Sequence, residues 1–87
     1  MRDKVEDMLY NVNRESQALF ADGFDDAIVG VHLDWERVIY DKTKMIEILV
    51  SEGMTDLDAI EYLEFNVWDA YVGTHTPIYI DAVSHEA

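Results

Sequence analysis

Histidine is the side chain best suited to acid–base work or metal binding near neutral pH. The chain has three, His32, His75 and His85. His32, Asp34 and Glu36 alternate in sequence, and on a β-strand alternate residues share a face. Together they describe a conceivable metal site, but their spacing matches no established ligand motif. A strand histidine of this kind reads as structural. His75 stands in Gly-Thr-His-Thr-Pro, a turn before a strand, and His85 lies close to the C-terminal end.

Nucleophilic chemistry finds no frame either. Ser16, Ser51 and Ser84 are not flanked by the glycines of a nucleophile elbow. No phosphate-cradling glycine loop is present. Without cysteine there is no thiolate nucleophile, no thiolate zinc site and no disulfide framework. Carboxylates are plentiful, but a hydrolase needs two of them held in a cleft, and Asp25-Asp26 reads as a solvated turn before a strand. No residue is therefore assigned a catalytic, cofactor-binding or metal-binding role, and the chain is expected not to be an enzyme.

Eighty-seven residues make one domain, with an expected helical N-terminus, an α+β core over about 24–81 and a frayed tail over 82–87. Val5, Met8, Leu9, Val12, Leu19 and Phe20 fall on one helical stripe, predicting a helix over 3–21 that Asp22-Gly23 ends. The β-branched run 26–33 predicts a strand, Asp34-Trp35-Glu36 a turn and Arg37–Tyr40 the return strand. Asp41 suits the N-cap of a helix over 42–52 that Gly53 stops. Thr55-Asp-Leu-Asp58 resembles a capping box for a third helix, which runs to about Val72 and Gly73. Pro77 opens a short third strand to Asp81. The order is α-β-β-α-α-β, predicting a small antiparallel three-stranded sheet with helices packed on one face.

Charge bounds the partners. Nineteen acids against six bases give a net charge of −13, and no Lys or Arg follows Lys44. Such a surface repels nucleic acid and anionic lipid and attracts basic surfaces. No stretch approaches the ~20 apolar residues of a membrane span, and no signal peptide is visible, so residence in the cytoplasm is expected. A core this small also leaves dimerisation open as a way to bury more surface.

The third helix carries the most suggestive pattern. On a helical wheel Leu57, Ile60, Leu63, Val67, Trp68 and Tyr71 form the core stripe, while Asp58, Glu61, Tyr62, Phe65 and Asp69 face away. Two aromatics among three carboxylates form a candidate partner-binding face, because aromatics anchor interfaces and carboxylates steer basic partners. A row of acids can also imitate a phosphate backbone. The plainer account packs Tyr62 and Phe65 against the N-terminal helix or a dimer mate. Glu64 falls inside the apolar stripe, so either the helix breaks near 64–66 or Glu64 is buried and paired, with Arg37 the candidate partner.

Phe24-Asp-Asp-Ala-Ile-Val-Gly-Val31, Arg37-Val-Ile-Tyr-Asp41, Gly53-Met54, Ala59-Ile-Glu-Tyr62, Glu64-Phe-Asn-Val67, Ala70-Tyr-Val-Gly73 and Thr76-Pro-Ile78 resemble a family of small acidic proteins of tailed bacteriophages. The resemblance covers about 23–80 and leaves out the N-terminal helix. It implies a phage origin, a shared fold and the cytoplasm of an infected bacterium. It carries over no activity and no functional residue. The resulting expectation is an acidic protein that engages a basic site on a host or phage protein, such as a nucleic-acid-handling or defence enzyme. The alternative is a homo-oligomeric structural or accessory protein.

Overall fold

The computed structural model describes residues 1–82. His85, Ser84 and all of the expected tail except Ala82 lie outside the described residues. The elements are α1 (Arg2–Val12), β1 (Ile28–His32), β2 (Arg37–Asp41), α2 (Lys42–Ser51), α3 (Asp56–Leu63) and β3 (Ile78–Ile80). A 3₁₀ turn at Asp25–Ala27 precedes β1, and a π turn at Glu64–Trp68 extends α3. The fold is α+β, and the order α-β-β-α-α-β is the expected one.

The first helix is shorter than predicted. It ends at Val12, not at Ala21, because Asn13 takes an extended conformation and its side chain accepts a hydrogen bond from the Glu15 N–H at 2.9 Å. That local bond competes with the helical ladder. Val5 and Leu9 still reach the core, but Met8 and Val12 are left exposed. Residues 13–21 run on without helix, and Ala18, Phe20 and Ala21 pack against the core. Gly23 does adopt a left-handed conformation, in a turn and not at a helix end.

The sheet has the order β1-β2-β3. β1 and β2 form the predicted antiparallel hairpin, with Val31 opposite Val38 and a bulge at Val29. β3 corrects the expectation of an all-antiparallel sheet: it runs parallel to β2, pairing Ile39 with Ile78 and Tyr40 with Tyr79. The reason is the connection. α2 and α3 form a crossover between the two strands, and a long helical crossover is what a parallel pair requires.

Val38 and Tyr40 alternate toward the helices. They meet Val5 and Leu9 of α1, Met45 and Leu49 of α2, and Ala59 and Leu63 of α3 in one buried cluster. All three helices thus lie on one face of the sheet. Each fully buried aliphatic side chain contributes roughly 1.5–3 kcal/mol.

Two predicted caps hold α2 and α3 in place. Asp41 accepts from the Thr43 N–H at 2.9 Å, and Thr55 accepts from the Asp58 N–H at 3.2 Å. α2 closes in a Schellman arrangement: Gly53 N–H donates to the Val50 carbonyl and Met54 N–H to the Leu49 carbonyl, with Gly53 at a φ of 111°.

Candidate partner-binding face

α3 is set by its caps and by Ala59 and Leu63, both fully buried. Those anchors turn Asp58, Glu61 and Tyr62 outward, as the wheel predicts. Ala59, a core residue, was missing from the predicted stripe.

Beyond Leu63 the α ladder stops. The π turn over Glu64–Trp68 takes about one residue more per turn than an α-helix, so later side chains fall behind their α-helical positions. Of the two alternatives for Glu64, this is the break: Glu64 is exposed and makes no ion pair with Arg37. Arg37 instead donates from Nε to the Thr76 carbonyl at 2.6 Å. Within the turn, Asn66 donates from its side chain to the Tyr62 carbonyl at 3.0 Å, giving a partner to backbone at the disrupted ladder.

Phe65 is 83% exposed, more than any other large apolar side chain among the described residues, and Tyr62 is 43% exposed. Tyr62 shares a groove with Leu19 and Phe20 of the segment expected to belong to the N-terminal helix, while Phe65 stands clear of α1. Asp58, Glu61 and Asp69 are exposed as well. The core stripe is corrected at two positions. Leu57 and Tyr71 are 65% and 78% exposed: Leu57 lies in the first turn, beside the caps, and Tyr71 follows the helical segment, which ends at Trp68.

The five candidate residues divide between surroundings. Asp58 sits in the first turn of α3, where a carboxylate also complements the helix dipole. Tyr62 lines an apolar groove of about 440 Å³, with Leu19, Phe20, Phe24, Val67 and Val72. Asp69 lines a separate cleft beside Trp68 and Tyr71. Around the face, no Lys or Arg stands in residues 45–87, and among the described residues the ion pairs are Arg2 with Glu6 and Arg2 with Asp25.

The histidine-bearing hairpin is built differently from a metal site. His32 stacks on Trp35 at 4.0 Å, and its Nδ1 accepts from the Trp35 N–H at 3.2 Å. His75 Nδ1 lies 3.3 Å from the Trp35 carbonyl. Glu36 closes the turn at a φ of 53°. Hydrogen bonds from Ser16 foremost, then Asn13, with His75 nearby, hold its carboxyl below the usual range against a smaller effect of burial. Among the described residues, no three His, Cys, Asp or Glu side chains converge as a metal-holding group.

Comparison with family models, curated proteins and solved structures found no match to this chain.

Proposed function

We propose that this protein is an acidic binding module that engages a basic surface of another protein through Asp58, Glu61, Tyr62, Phe65 and Asp69. One observation carries the reading: Phe65, at 83% exposure, stands on a base-free acidic stretch and is left uncovered by the described residues. An exposed phenyl ring is costly in water and valuable in an interface. The exposed carboxylates of the same segment, Asp58, Glu61 and Asp69, accelerate encounter with a basic partner and discriminate against acidic ones. The apolar groove at Tyr62 offers adjoining surface for a partner's side chain.

The resemblance to small acidic proteins of tailed phages supports a setting in the cytoplasm of an infected bacterium. There the partner is a host or phage protein with an anion-binding groove, such as a nucleic-acid-handling or defence enzyme. The acidic row substitutes for phosphates. No catalytic group or cofactor enters this reading.

The test is affinity capture from host lysate by the native protein and by a variant with Asp58→Lys, Glu61→Lys and Asp69→Lys. A basic protein held by the first, lost by the second and bound more weakly in 300 mM than in 50 mM salt is the expected result, since exposed charges are screened over a Debye length of ~10 Å at 0.1 M. Equal capture by both proteins, or salt-independent affinity, removes the reading.

A second reading is a homo-oligomeric accessory protein. It is favoured by α1, which exposes Met8, Tyr10 and Val12 at 40%, 56% and 57%. Light scattering separates the two: a monomer at high concentration excludes the oligomer.

A further inference from the structure

Two of the six bases do something unexpected in so acidic a chain. Arg37 and Lys42 line the same cleft, a concavity of about 470 Å³ walled by Trp68, Tyr71 and Tyr79. With nineteen acids available, neither forms an ion pair among the described residues. Asp69, which also lines the cleft, pairs with neither.

A donor–acceptor count sharpens the point. The Arg37 guanidinium carries five N–H donors and Lys42 three. Among the described residues the guanidinium makes one hydrogen bond, from Nε to the Thr76 carbonyl at 2.6 Å. That bond steadies the guanidinium and leaves both terminal NH₂ groups without an acceptor among the described residues. Lys42 Nζ lies 4.8 Å from the centre of the Trp68 ring, a cation–π contact that leaves its N–H donors unused. The cleft thus holds two bases whose terminal N–H groups find no acceptor among the described residues, although the Asp69 carboxylate is part of the same lining.

The site itself is held firmly. Thr76 is buried. Its hydroxyl donates to the Gly73 carbonyl at 2.6 Å and accepts from the Val72 N–H at 3.0 Å. The loop that carries the Arg37 acceptor is therefore pinned in place, and β2, rigid at the centre of the sheet, carries Arg37 itself.

We propose that the Arg37–Lys42 cleft binds a small anion carried on a flat ring: a carboxylate or phosphate group accepting from Arg37 and Lys42, with the ring against Trp68 and Tyr71. The volume falls in the range of small-molecule sites, roughly 300–1,000 Å³. Arginine suits bidentate recognition of either oxyanion. The aromatic walls supply the apolar surface that a bare inorganic ion could not use. Asp69 in the same cleft disfavours ligands bearing negative charge at both ends. This site meets the acidic face at Asp69 but draws on Arg37, Lys42 and the aromatic walls, not on Asp58, Glu61 or Phe65.

The test uses the full chain and reads backbone amide NMR shifts. Indole-3-acetate, adenosine 5′-monophosphate and inorganic phosphate are titrated separately. The expected result is saturation by at least one ring-bearing anion at about 1 mM or below, with shifts at 37–42 and 68–79. Saturation by indole-3-acetate alone identifies carboxylates as the ligand class, and by the nucleotide alone phosphate esters. Lys42→Gln, which leaves the Arg37–Thr76 bond intact, should weaken binding about tenfold or more, the scale of one charge-assisted hydrogen bond. Arg37→Gln should do at least as much. Failure of both ring-bearing anions to saturate overturns the proposal. So does phosphate binding as tightly as they do, or affinity unchanged by Lys42→Gln and Arg37→Gln.

Discussion

The Ala21 N–H donates to the Tyr40 hydroxyl at 2.7 Å, across nineteen residues of sequence. Tyr40 is fully buried at the centre of the sheet, so this bond ties the irregular segment after α1 to the core. Tyr40→Phe keeps the ring and leaves the Ala21 N–H without its acceptor. The expected loss is about 1–2 kcal/mol, measured by urea denaturation, with faster amide exchange at Ala21 than in the native protein. Unchanged exchange there would show that the segment is held by packing alone.

Phe65 and Leu63 are two residues apart and should behave oppositely. Leu63→Ala opens a cavity in the core and should cost about 2–5 kcal/mol. Phe65→Ala removes an exposed ring and should shift stability by no more than about 0.5 kcal/mol, while weakening capture of the basic partner. Thermal melts of the two variants, run beside the capture assay, separate the folding role from the binding role.

Gly53 and Gly30 form a second contrast. A Cβ at either position meets nothing within 4 Å, but Gly53 has a φ of 111° and Gly30 is not in the left-handed region. Gly53→Ala should therefore cost on the order of 1–2 kcal/mol through backbone conformation alone. Gly30→Ala should be neutral or stabilising by up to about 1 kcal/mol. Denaturation midpoints decide the matter, and equal effects at the two sites would contradict it.

Alkaline pH should act through Tyr79. Burial, with the neighbouring Tyr40 ring adding to it, pushes its hydroxyl up to about 12 from the ordinary 10.0. The folded state then keeps a proton that the unfolded chain releases. The associated stability is complete below pH 10 and is lost as pH rises toward 12, on the order of 2–3 kcal/mol in all. Tyr79→Phe should flatten the decline between pH 10 and 12, leaving the smaller share from Tyr40, whose hydroxyl burial also raises. Ultraviolet titration of the phenolates gives an independent reading, with one fewer late-ionising tyrosine in the variant.

Local signals were legible wherever neighbouring residues decided the outcome. Asp41 and Thr55 cap their helices, Gly53 ends α2, and Arg37–Tyr40 reads as the return strand of a hairpin, all within a few residues of chain. The outward set on α3 was equally readable, because a stripe through Ile60 and Leu63 leaves Asp58, Glu61 and Tyr62 on the opposite side. The charge and the base-free stretch after Lys44 follow from composition alone. Three things depended on tertiary structure. The end of α1 was decided by a competition between the Asn13 side chain and the helical ladder, with Phe20 and Ala21 drawn to the core as extended chain, where a periodic pattern implied helix. The direction of β3 was set by the α2–α3 crossover, which returns the chain parallel to β2. The Arg37–Lys42 cleft joins a strand, a helix N-terminus and a π turn from separate parts of the sequence, and no spacing pattern links them. What each residue does with its immediate neighbours is written in the chain; which distant residues share a cleft is settled only when the core closes.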